Sequence, residues 1–117
     1  MAKKIAAPLS EQAAKTYRNV MTSFHNCTVR ARVSELKALC GMPQYHSSNK
    51  NEKSQREWEL VTKTKPTTYF NLYDWKEYRK YKISEMIEWY IGTETPEMSL
   101  RVEAILDSAL RELRASK

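Results

Sequence analysis

Glycine is nearly absent from this chain: Gly41 and Gly92 are the only two in 117 residues. Two isolated glycines cannot form a glycine-rich phosphate loop, so no GxGxxG turn and no Walker-type loop can be drawn. The same scarcity argues against a loop-rich all-β fold, which uses glycine in its turns. Long apolar runs are missing too. No stretch approaches the length of a membrane span, and residues 1–10 lack the apolar core of a secretory signal, so the expected location is the cytoplasm with no membrane partner. Cysteine and histidine number two each. His25, Cys27, Cys40 and His46 could be proposed as a zinc set, but the tight CxxC or HxxxH knuckle of structural zinc is lacking. The expectation is two reduced, buried thiols, with no metal and no cofactor. HExxH, nucleophile-elbow and kinase signatures are absent as well. The acidic pairs Glu57/Glu59 and Glu85/Glu88 fall on segments expected to be solvated. No catalytic residues are assigned, and the chain is not expected to be an enzyme.

What is present is a globular balance, with 41% hydrophobic and 29% charged residues in a length that suits one domain. The formal net charge is +6 and the isoelectric point about 9.4, which favours a polyanion as partner. Most of the aromatic residues lie between positions 58 and 90: Trp58, Tyr69, Phe70, Tyr73, Trp75, Tyr78, Tyr81, Trp89 and Tyr90. Lys63, Lys65, Lys76, Arg79, Lys80 and Lys82 are threaded among them. Aromatic faces stack on bases and cations hold phosphates, so this mixture suits a nucleic-acid surface. The same aromatics could equally build a small core, with tyrosine keeping a polar tip at half-buried positions.

Along the chain, residues 1–9 read as a flexible basic tail and 10–117 as a single domain. Ala13, Ala14, Tyr17, Val20, Met21 and Phe24 share one helical face, predicting a helix from Ser10 to about Asn26. Cys27, Val29, Ala31 and Val33 alternate with polar residues, predicting a short strand. Residues 34–40 predict a short helix capped by Ser34 and closed by Gly41 and Pro43. Residues 44–55 are polar and predict either a loop or an exposed helix. Residues 56–63 and 67–72 alternate as a hairpin around Thr64, Lys65 and Pro66, with a basic tip. Leu72, Ile83, Met86, Ile87 and Tyr90 fall on one side of a helical wheel, predicting a helix over 71–91. Thr95 and Pro96 then open a last helix with the stripe Met98, Val102, Ile105, Leu106, Ala109, Leu110 and Leu113.

The order helix, short strand, helix, polar segment and β-hairpin resembles, over residues 10–72, a winged helix-turn-helix. The resemblance is carried by Val33, Ser34, Glu35, Leu36, Lys37, Ala38, Leu39, Cys40, Gly41, Met42 and Pro43, which look like the strand end, second helix and turn of that family. It implies an α+β, helix-rich fold: a winged-helix-like core over 10–72, then two C-terminal helices over 73–117. It further implies that residues 44–54 enter the major groove and that the hairpin touches the backbone. Gln44, Tyr45, Ser47, Ser48, Asn49, Lys50 and Lys53 would be the reading contacts, and Lys63 and Lys65 the wing contacts. Arg30, Arg32, Arg56, Lys76, Arg79 and Lys80 complete the expected nucleic-acid-binding set.

The expected function is therefore a non-catalytic nucleic-acid-binding protein of regulatory or accessory type, with duplex DNA as ligand and the C-terminal helices as a dimer face. The alternative is an accessory protein, of the kind viruses and mobile elements encode, that inhibits or redirects a host protein complex through its aromatic-basic surface.

Overall fold

The computed structural model describes residues 4–8, 20–47 and 53–116. These form a six-stranded antiparallel sheet with two helices, not a helix-rich winged helix. The strands are β1 (Ala6–Pro8), β2 (Ser23–Ala31), β3 (Tyr45–His46), β4 (Arg56–Thr62), β5 (Tyr69–Tyr73) and β6 (Ile87–Thr93). The helices are α1 (Val33–Cys40) and α2 (Pro96–Ala115). The sheet order is β1-β4-β5-β6-β2, with β3 pairing β4 beside β1. A sheet is thus built with few glycines, because its bends use Asn26, Lys76 and Tyr78 in the left-handed region instead.

Alternation explains why one face is covered. Trp58, Leu60, Phe70, Leu72, Ile87, Trp89, Ile91, Cys27, Val29 and Ala31 are all buried on the face beneath the helices. Helix α2 crosses β2 and β6 and inserts Val102, Leu106 and Leu110, while α1 adds Val33, Leu36, Leu39 and Cys40. Trp58 and Trp89 meet edge to face with ring centroids 5.3 Å apart. Each indole also donates to a backbone carbonyl, Trp58 to Gly41 at 2.8 Å and Trp89 to Ala31 at 2.9 Å. Burying an aromatic side chain removes on the order of 200 Å² from water, worth roughly 5 kcal/mol as an upper bound.

The helix expected over 71–91 does not exist. Residues 69–73 complete β5, residues 74–86 are an irregular loop, and residues 87–93 are β6. Ile87, Trp89, Ile91 and Thr93 alternate with Glu88, Tyr90 and Gly92, a period of two that the apparent helical stripe concealed. The part of the first expected helix at 10–19 lies outside the described residues, and Ser23–Asn26 belong to β2. A bulge between Phe24 and Thr28 fits there, with Asn26 at φ 66°. Residues 6–8, within the stretch read as a tail, pair with Thr62, Val61 and Leu60. Tyr45–His46 is a strand rather than the start of a reading helix. Ser34 does not cap α1; Arg32 occupies that position, and its N–H donates to Glu35 Oε1 at 2.9 Å. For α2 the expected start is observed, Thr95 accepting from the Met98 N–H and Pro96 following it.

Candidate functional site

The loop over 74–86 is held by one carboxylate. Asp74 is fully buried, and its Oδ1 accepts from the Gln55 N–H at 2.8 Å and the Arg56 N–H at 3.0 Å. Its Oδ2 accepts from the Tyr81 hydroxyl at 2.7 Å. Gln55 Nε2 then donates to the Arg79 carbonyl at 2.9 Å, and the Lys76 N–H to the Lys53 carbonyl at 2.6 Å. These bonds bind the loop after β5 to the segment before β4. Cations distant in sequence therefore meet at one end of the sheet.

Arg56 lies at the centre of that end, its guanidinium 4.8 Å from the centre of the Tyr81 ring. It borders a recess of about 180 Å³ walled by His46, Ser47, Gln55, Arg56, Lys80 and Tyr81. Burial, and then the charges of Arg56 and Lys37, push the His46 imidazole below its ordinary range, with Asp74 opposing. Burial, followed by the bond to Asp74, pushes the Tyr81 phenol up, so it stays a neutral donor. Lys80 is exposed on the wall of the recess, and Lys53, Lys76, Trp75 and Tyr78 are exposed on the two segments that these bonds join.

The other expected contacts are scattered. Arg30 sits on β2 opposite Glu88, and Arg32 donates to the Ser84 carbonyl at 3.1 Å. Arg79 is ion-paired to Glu85 and Glu77, which leaves it less available to a phosphate. Gln44 Oε1 accepts from the Glu59 N–H at 2.8 Å, and Tyr45 pairs with Glu57 across the strands. Lys63 and Lys65 sit at the hairpin tip, at the far end of β4. There Arg101 donates to the Thr64 carbonyl and to Thr68, tying the tip to α2. Asn49 and Lys50 lie outside the described residues. Sequence reasoning named His46 and Tyr81 only in other roles and missed Gln55 and Asp74, whose part appears only in the partners the fold brings to them.

The sheet face opposite the helices carries a different chemistry. Glu57, Glu59, Tyr69, Asn71, Tyr73 and Tyr90 are half-buried there. Rings run along it, Phe24 to Tyr90 at 4.7 Å, Tyr90 to Tyr73 at 5.8 Å and Tyr73 to Trp75 at 6.1 Å. Burial, then the charge of Glu59, pushes the Glu57 carboxyl up, with the Asn71 amide acting against them.

Cys27 and Cys40 are both buried and free. Burial pushes the Cys40 thiol up to about 12, and burial with Glu103 raises Cys27, so neither is a reactive thiolate. Among the described residues no three His, Cys, Asp or Glu side chains are placed to hold a metal ion. No described helix is long and apolar enough to cross a membrane. Comparison with protein families, with curated proteins and with solved structures finds no match to this chain.

Proposed function

We propose that this chain is a non-catalytic nucleic-acid-binding protein that holds a single strand at the end of the sheet around Arg56. The observation that carries the reading is the recess of Arg56, Lys80, His46 and Tyr81, with Lys53, Lys76 and Tyr78 exposed on the two segments whose bonds form that end of the sheet. Cations there serve phosphates, and exposed aromatic faces serve unstacked bases. The duplex expected from the winged-helix resemblance loses its basis, since Tyr45–His46 is a strand and the loop 74–86 replaces the expected helix. A single strand suits stacking surfaces better than a paired one, whose bases are already stacked.

The test is fluorescence anisotropy at low salt, with a labelled single-stranded oligonucleotide and the matching duplex. The wild type should bind the single strand more tightly. Lys76→Gln combined with Lys80→Gln should weaken it by about tenfold or more, with an unchanged melting temperature. No binding to either probe, or tighter binding to the duplex, would overturn the proposal.

A further inference from the structure

We infer that the recess on the sheet face opposite the helices is a binding site for the guanidinium group of an arginine carried by a partner polypeptide. This inference does not rest on the nucleic-acid reading, and this recess shares no wall residue with the one at Arg56. The recess is a cavity of about 270 Å³ whose walls include Ser54, Glu57, Asn71, Tyr73, Trp75 and Gly92.

One acceptor in it lacks a donor, and a second lacks a counter-charge. Asn71 Oδ1 is buried and has no hydrogen-bond partner. Such an atom is costly to leave unpaired, so it points to a donor that arrives from outside. Gly92 permits this placement: a Cβ there would overlap Asn71 Oδ1, so any other residue would make the amide shift. Glu57 is the second: the Asn71 amide bonds it, but among the described residues no lysine or arginine is within ion-pair distance of it. Glu59 lies two residues along the same strand, on the same face.

The chemistry of the walls selects the ligand. A phosphate or carboxylate is repelled by Glu57 and Glu59. An aliphatic group leaves the Asn71 oxygen unpaired and the Glu57 charge unmatched. An ammonium is a compact, strongly hydrated charge with three donors. A guanidinium is planar and weakly hydrated, can bond a carboxylate and an amide oxygen from one edge, and stacks on aromatic faces. Tyr73 and Trp75, edge to face at 82°, supply those faces, with Trp75 38% exposed at the rim. A bound cation would also relieve the burial and the repulsion from Glu59 that raise the Glu57 carboxyl. Lys76 already places a cation over the Trp75 ring, its Nζ 5.6 Å from the ring centre. Lys76→Gln should therefore leave arginine binding intact or tighten it, whereas it should weaken binding of an oligonucleotide. The two readings fail separately.

The experiment is a titration of the isotopically labelled full chain with N-acetylarginine methylamide, following the Trp75 indole N–H and the Asn71 side-chain amide by NMR. The neutral isostere N-acetylcitrulline methylamide and the lysine analogue are titrated in parallel. Arginine should shift both signals, citrulline should shift neither, and lysine should bind more weakly. Glu57→Gln should weaken the arginine effect by at least about tenfold while the remaining spectrum is unchanged. Trp75→Ala, at an exposed position, gives a second variant that should also weaken it. Absence of shifts with arginine, equal shifts with citrulline, or tighter binding of lysine would overturn the assignment.

Discussion

Glu35 and Glu57 are both turned into the protein, yet their surroundings act on them in opposite directions. Glu35 is 3% exposed and accepts from Arg114 Nε at 2.7 Å and Nη2 at 3.0 Å. The Arg114 bond holds its carboxyl below the usual range, and burial opposes without prevailing. A depressed folded pKa gives stability that is present above the unfolded carboxylate pKa and is lost as pH falls through the folded value. Glu57 is the reverse case: burial and Glu59 raise its carboxyl, so its ionised form weakens the fold at neutral pH and the penalty vanishes in acid. Urea melts across pH should separate the two. Glu35→Gln should lose about 2 kcal/mol at neutral pH, because Arg114 keeps only a neutral acceptor, and its loss should shrink as pH falls. Glu57→Gln should melt higher than wild type at neutral pH and converge with it in acid. If both variants move the same way at neutral pH, the account of these two sites is wrong.

At the scale of elements, legibility depended on whether local pattern and long-range partners agreed. Helix α2 was readable because Thr95, Pro96 and the stripe of Val102, Leu106 and Leu110 all point one way. The β4–β5 pair was readable from alternation, as Trp58, Leu60, Phe70 and Leu72 are buried in strict period two. Residues 71–91 were not. Leu72, Ile83, Met86, Ile87 and Tyr90 fit a helical wheel, and neither glycine nor proline interrupts residues 74–86. What prevents the helix is Asp74, whose partners Gln55, Arg56 and Tyr81 lie outside any local window, and the left-handed turns at Lys76 and Tyr78. Asp74→Ala tests this. It removes the acceptor of two backbone N–H groups and a phenol, so it should cost on the order of 3 kcal/mol. Amide exchange should quicken first in residues 74–86. A loss well under about 1 kcal/mol would mean that the loop is held by something else.

At the scale of the whole molecule, the net charge of +6 is less informative than where the fold puts it. The sequence showed that cations and aromatics are mixed; it did not show which of them meet, because β4 separates them. Lys63 and Lys65 follow its C-terminal end, whereas Lys53 and Arg56 mark its start and Lys76 and Lys80 join them through the loop. Seven strand residues span roughly 20 Å, well beyond the Debye length of about 8 Å at physiological salt. The hairpin tip is thus electrostatically separate from the recess at Arg56. If Lys53, Arg56, Lys76 and Lys80 are the phosphate contacts, affinity for a single strand should fall with log salt at a slope of about −3. Lys76→Gln with Lys80→Gln should roughly halve that slope, since two of the contacts named are lost. Lys63→Gln with Lys65→Gln removes the same charge from the chain and should leave both slope and affinity nearly unchanged. Equal effects from the two pairs would mean that the strand responds to the total charge of the molecule and not to a site at the end of the sheet.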